Sequence, residues 1–384
     1  MLDTSTTAVP AAPATAHLEH ANRHARLAAL TLALCLPSDV LLYLLLPMHP
    51  DAFGISLAQA GVLLAANRLV RIFGYSQVLR FYGRHGDRLT VMLAAGAAML
   101  CALGNALLSG FAALLVLRLV WGLCYAALNL STQVLATADP AGAARSSGQS
   151  RALIALGPML ALPLGALVSQ GFGPRMIFWG LAASCALSLL IARRLPTQGH
   201  ALHRSGKRIR LPDSVAAWSF IEGVALDGLF IFGLSLQAQS LLGGDAVVVA
   251  GLLMGLRYLS EVVLSSLGGR TAQAYGASRT LLVFSVLSAL ALAAFGSHWV
   301  ILGAAGVLVL RAVQLPLVTL LVAERNPGPA RVAALASNAV WRDVGAGLGP
   351  LLAGVLLPVA SAPWVFAIAG CAIAASAVWC SARR

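Results

Sequence analysis

Roughly twelve stretches of this chain are long and apolar enough to cross the hydrocarbon core of a bilayer, which takes about 20 residues. They fall near residues 27–47, 54–77, 88–109, 111–135, 150–170, 174–193, 213–238, 246–268, 279–297, 299–322, 333–358 and 362–381. In lipid every backbone N–H and C=O must be satisfied within the structure, which leaves helices and closed barrels. Leu, Ala and Gly dominate these stretches. Small residues let helices approach closely, so a helical bundle is expected and a barrel is not. Charged residues make up only 10% of the 384, against about 25% in soluble domains, and mean hydropathy is +0.85.

The chain also repeats. Leu115 to Arg118 reads LVLR, and Leu308 to Arg311 reads the same 193 residues later. Tyr82-Gly83 returns as Tyr275-Gly276 at that spacing, and Leu156-Gly157-Pro158 returns as Leu348-Gly349-Pro350 one residue short of it. Two copies of one unit are therefore expected. The reading is an all-α membrane protein of 12 transmembrane helices in two pseudo-symmetric six-helix bundles, residues 27–193 and 213–384. A flexible cytoplasmic tail (1–26) precedes them and a basic cytoplasmic linker (194–212) joins them. Duplicated halves about a central site suit a carrier that rocks.

Charge sets the orientation. The net charge is +13, and Lys207 is the single lysine. Arg80, Arg84 and Arg88 follow the second run, Arg145 and Arg151 the fourth, Arg193, Arg194, Arg204, Arg208 and Arg210 the sixth. Arg270 and Arg279 follow the eighth, Arg325 and Arg331 the tenth, and Arg383 and Arg384 end the chain. The opposite loops hold almost none, Arg175 excepted. By the positive-inside rule both termini are cytoplasmic. Topology thus accounts for the positive charge, and no basic cluster with interleaved aromatics suggests nucleic acid. No cleavable signal pattern opens the chain.

Metal and redox chemistry find little support. The six cysteines lie in or at the ends of apolar runs and form no CxxC pair, so they read as small hydrophobes. The eight histidines lie in the tail, loops and span edges, with none at mid-membrane depth. His17, His20 and His24 share helical spacing with Glu19, and a solvated tail explains them better than a metal site. No metal and no cofactor is expected.

What does lie at depth is a short set of ionisable residues. The first half has Asp39, Arg68, Arg71 and Arg118; the second has Glu222, Asp227, Arg257, Glu261 and Arg311. A charge at the bilayer centre costs at least about 2.5–3.5 kcal/mol, so these groups should face the bundle interior or a wet cavity. Arg257 and Glu261, four apart on one helix, suit mutual neutralisation. Arg68 and Arg71 share a face and need an outside partner, either Asp39 or a ligand anion, unless Arg71 snorkels to the cytoplasmic edge. Glu222 and Asp227, five apart, are expected to point in different directions and not to form one site. Three arginines against one acid in the first half, and two against three in the second, leave an excess of one positive charge. That favours an anionic or zwitterionic solute. Aromatics at 7% argue against a cation–π drug pocket.

Three segments resemble the major facilitator superfamily. Leu117 to Asn129, LRLVWGLCYAALN, is similar to that family's fourth-helix motif through Arg118 and Gly122. The loop Ser76 to Arg88, SQVLRFYGRHGDR, resembles its G-x-L-x-D-R-x-G-R-R loop through Gly83 and Arg84. Arg80 stands where aspartate is expected, so Asp87 is the candidate substitute. The second copy, Gly269 to Ser278, keeps Gly269 and Gly276 and carries Gln273 at the acid position. Gly345 to Gly354, GAGLGPLLAG, resembles the antiporters' Gly-Pro motif, displaced from the fifth helix to the eleventh; the fifth-helix copy at Gly157-Pro158 is degenerate.

The resemblance implies a carrier in which Asp39 and Arg118 couple to protons, and in which Gly83, Arg84, Asp87, Arg88, Gly269 and Gly276 form cytoplasmic gate loops. Gly157, Pro158, Gly349 and Pro350 would bend their helices. The expected function is proton-coupled export of a small anionic or zwitterionic metabolite, such as a siderophore- or opine-like chelator or another organic acid, by alternating access. Import of an organic anion by symport and multidrug efflux by antiport are the alternatives. No Ser/His/Asp or Cys/His constellation lies near a membrane face, so no enzyme is expected. The partners are a small-molecule substrate, protons and the lipid bilayer, without nucleic acid. The expected form is a monomer in a bacterial-type inner (plasma) membrane.

Overall fold

The computed structural model describes residues 12–136, 143–197, 212–242, 245–326 and 330–382. These residues form thirteen α-helices, one π-helical segment and one short 3-10 turn, with no strand among the described residues. The first apolar run is split into α1 (Ala12–Cys35) and α2 (Pro37–Met48). Pro37 lacks an N–H and stands in the first turn of α2, where no intrahelical donor is required. Helix α1 starts within the stretch expected to be a tail, in an alanine-rich sequence of high helix propensity. Residues 1–11 of that tail, and 198–211 of the expected linker, lie outside the described residues.

Helix α3 (Leu57–Leu107) opens on a capping box, with Ser56 and Gln59 satisfying each other's backbone N–H. It carries the second and third runs as two rods joined at Gly86, whose φ of 73° is left-handed and suits glycine alone. The repeat aligned Gly83 with Gly276. Gly276 does have a left-handed φ, 85°, and precedes α10 (Ala277–Phe295). Gly83 instead stays helical, and the first-half turn comes three residues later.

The remaining helices of the first half are α4 (Phe111–Ala136), α5 (Ala143–Phe172) and α6 (Ile177–Ala192). In the second half α7 (Ser214–Glu222) passes through the π segment Gly223–Leu229 into α8 (Phe230–Leu242) without a break. Helices α9 (Ala246–Tyr275), α10, α11 (Val300–Arg325), α12 (Ala330–Leu356) and α13 (Ala362–Ala382) complete it.

Among the described residues eight stretches are long and apolar enough to span a membrane, Asn22–Met48 being the first and Ala362–Ala382 the last; Ile177–Ala192 and Val300–Leu315 are shorter apolar helices. Residues 57–79 and helix α12 fall outside that set. These two stretches carry Arg68 and Arg71, and Arg342 and Asp343, well inside their length.

Three apolar cores hold the helices. One is shared by both halves and joins Leu41, Leu45, Phe53 and Leu162 to Leu226, Phe230, Val247 and Phe295. It lies by the turns at 49–56, 108–110 and 296–299. The other two are confined to one half each, around Trp121, Cys124 and Cys185 and around Trp218, Leu281 and Leu317. Contacts between the halves follow the shared core: α5 packs on α9, α3 on α12 and α2 on α8. There Gly61 abuts the Pro350 carbonyl and Gly251 abuts Leu162.

Candidate functional site

Arg118 and Arg311, the paired arginines of the repeat, are each 1% exposed. Their surroundings differ. Arg118, on α4, ion-pairs with Asp39 on α2 and donates from Nε to the Leu63 carbonyl at 3.0 Å. Asp39 also accepts from Asn67 Nδ2 at 2.8 Å. One acid, one arginine and one amide make a neutral cluster that joins three elements. An ion pair this dry depends on such added hydrogen bonds to offset its desolvation.

Arg311, on α11, contacts three acids: Glu222 at 3.3 Å, Asp227 at 2.5 Å and Glu261 at 2.8 Å. Arg342, on α12, reaches Glu222 at 3.0 Å and Asp227 at 2.6 Å. Arg257, on α9, reaches Asp227 at 3.2 Å and its neighbour Glu261 at 3.3 Å. Three carboxylates and three guanidiniums thus neutralise one another across five elements, α7, the π segment, α9, α11 and α12.

Glu222 and Asp227 therefore belong to one cluster, contrary to their sequence spacing. In an α-helix residues five apart sit about 140° from each other round the axis. The segment between them is a π-helix, whose i→i+5 bonding brings positions five apart back to nearly the same face. Small residues on both sides permit it: a Cβ on Gly349 of α12 would lie 2.5 Å from the Val224 carbonyl oxygen and as close to Gly228 Cα.

Arg68 and Arg71 do not pair with Asp39, whose carboxylate is occupied by Arg118 and Asn67. Arg68 donates from Nε to Tyr43 Oη at 3.0 Å and meets Asp343 of α12 at 3.7 Å. Arg71 donates to the Asn67 carbonyl at 3.0 Å and lies over the Tyr125 ring, 4.3 Å from its centre. It is 9% exposed and has no carboxylate partner among the described residues. It is buried in the structure, not snorkelling. With the other charges matched, the expected excess of one positive charge at depth resides on Arg71.

Arg342, Asp343 and Asn67 were not anticipated. The two charges lie well inside the run 333–358, and that position was the available signal. Asn67 is a neutral amide with no comparable mark.

Asp87 is fully buried and accepts from Tyr82 Oη and Ser131 Oγ, both at 2.6 Å. It ties the start of the third run to α4. The backbone N–H of Arg88 bonds the Pro196 carbonyl at 3.1 Å. Gly83 and Arg84 lie on the preceding turn, with Arg84 exposed, and Gly269 lies within α9. Helices α5 and α12 stay helical through Pro158 and Pro350. Gly157 admits the Ala33 backbone of α1, as Gly349 admits the π segment.

A family model described as Major Facilitator Superfamily matches residues 27–243. No curated protein sequence matches the chain. Among solved structures, the nucleoside transporter NupG is 14% identical with a TM-score of 0.74, over 94% of this chain and 98% of that one. A D-xylose-proton symporter is 14% identical with a TM-score of 0.75, over 92% and 96%. The xylose transporter XylE from E. coli, in an inward open conformation, is 13% identical with a TM-score of 0.70, over 92% and 94%.

Proposed function

The chain belongs to the Major Facilitator Superfamily, and from that premise we propose a proton-coupled carrier that exports a small anionic or zwitterionic metabolite by alternating access. It is an integral membrane transporter; its substrate, direction and coupling are our reading. The observation that carries the reading is Arg71, a buried guanidinium with no acid beside it among the described residues, while the neighbouring charges are matched. A site with one unmatched buried cation is completed by an anion. Asp39 is the proton-coupling acid in this scheme. In this scheme the Asp39–Arg118 contact is made in one conformation and broken in another, which ties proton binding to the side of access. Glu222, Asp227, Arg257, Glu261, Arg311 and Arg342 then form the opposing wall of the cavity.

The helices are read as twelve crossings in two bundles, residues 27–193 and 213–384. In this reading α1 and α2 make the first crossing, and α7, the π segment and α8 make the seventh. Both termini and the linker 194–212 are placed on the cytoplasmic side of a bacterial-type inner membrane, and the carrier acts as a monomer. The gate loops are 83–88 and 269–276. The shared core by the turns at 49–56 then closes the outer face, and the two separate cores leave the inner face free to part.

Export rests on the Gly-Pro segment 345–354. Import by symport is the second reading, favoured by the likeness in fold to a D-xylose-proton symporter. Metabolites inside and outside cells with and without the protein decide between them. Export predicts a compound that builds up inside deletion cells and disappears from their medium; one that stays in the medium makes the carrier an importer. Arg71→Gln should lower transport of that compound at least roughly tenfold, equivalent to about 1.4 kcal/mol, and unchanged transport would remove the anion assignment.

A further inference from the structure

The ion pair between Arg68 and Asp343 differs from all the others at depth. Among the described residues it is the one ion pair that joins the halves, from α3 to α12. It is also the loosest, at 3.7 Å, and the most open, with side-chain exposures of 17% and 39%. Arg68 is held from behind by Tyr43 Oη, with its guanidinium carbon 5.6 Å from the Tyr43 ring centre. Asp343 has no such support: its carboxylate accepts no hydrogen bond among the described residues. The adjacent Arg342 is engaged by Glu222 and Asp227 and leaves Asp343 to Arg68. Arg71 follows Arg68 by one helical turn on the same face, without an acid.

We propose that Asp343 is a resident carboxylate in the substrate's anion site, occupying Arg68 when the carrier is empty and displaced when a carboxylate substrate arrives. The inference rests on the anion reading of Arg68 and Arg71 above. A carboxylate bridging both guanidiniums would gain charge-assisted hydrogen bonds that a 3.7 Å contact does not make, so exchange favours the ligand. Because Asp343 sits on the other half, displacing it also removes a tie between the halves, and substrate loading becomes linked to their separation. The empty carrier is held by its own anion and released by the cargo's.

Purified protein in nanodiscs, titrated with benzoate as the carboxylate probe and followed by thermal unfolding, tests this. Asp343→Asn removes the competitor and leaves the arginines, so its benzoate midpoint should fall at least roughly tenfold below that of the native protein, equivalent to about 1.4 kcal/mol. Arg68→Gln in the Asp343→Asn background should reverse the gain. Asp343→Ser serves as a second variant in case the asparagine protein does not fold. A native response that is lost in Arg71→Gln but unchanged in both Asp343 variants would overturn the competition and leave the anion site standing. No response in any variant would overturn both. A response in Asp343→Asn that survives Arg68→Gln would place the competition elsewhere and overturn the proposal as well.

Discussion

The two halves place an arginine at the same position of the repeat and use it differently. Arg118 has one carboxylate, Asp39, and shares it with the Asn67 amide. Arg311 has three carboxylates, and these are themselves cross-tied by Arg257 and Arg342. A single pair has two states, made and broken. A net of six has no member that can leave without stranding others in low dielectric. The same letters in the sequence thus give a single ion pair in one half and a cross-tied net in the other.

The comparison is broken most forcefully at Arg311. Arg311→Gln leaves Glu222, Asp227 and Glu261 without their shared cation. Removing one partner from a buried ionic cluster costs about 3–5 kcal/mol, so the variant should unfold at markedly lower temperature in detergent or fail to accumulate. Asp39→Asn is the contrasting change. The amide keeps an oxygen for Asn67 and Arg118 but leaves the buried Arg118 charge without its acid, so the fold should survive at reduced stability. Under the proposed coupling, proton-driven transport falls to background while exchange without a proton gradient persists. Full gradient-driven transport by this variant would remove Asp39 from the mechanism.

Gly349→Ala tests the packing that permits the net. Its Cβ would meet backbone of the π segment at 2.5 Å, and overpacking of this kind costs about 1–3 kcal/mol. The loss should appear as a lower midpoint in thermal unfolding. The smallest effect is expected at Ser131→Ala in the first half. It removes a hydroxyl donor to Asp87, worth about 1 kcal/mol, and Tyr82 Oη remains.

Much of this arrangement was legible in the chain. The apolar runs, the LVLR repeat and the ionisable residues at depth follow from hydropathy and spacing alone, and they place Asp39, Arg118 and Arg311. The joining of Glu222 to Asp227 was not legible. A π segment differs from an α-helix by the width of its turn, and GVALDGL carries no compositional mark beyond its two glycines. Arg342 and Asp343 were not singled out although both lie well inside the run 333–358, and only the packing shows that they face different partners. Tyr82-Gly83 matches Tyr275-Gly276 letter for letter, yet the left-handed glycine is Gly86 in the first half and Gly276 in the second. Tyr82 is fully buried and Tyr275 is 73% exposed, and burial of Tyr82 against Asp87 carries the helix past Gly83 to Gly86.

The shared apolar core by the turns at 49–56 has a calorimetric consequence. If the halves part at that end, side chains such as Leu45, Phe53, Phe230 and Val247 pass from a dry contact into water. Exposure of apolar surface raises heat capacity. The step that opens this face should then carry a positive heat-capacity change, and the Eyring plot of transport should curve wherever that step limits the rate. The step that opens the opposite end, where each half keeps its own core, should give a plot much closer to a straight line.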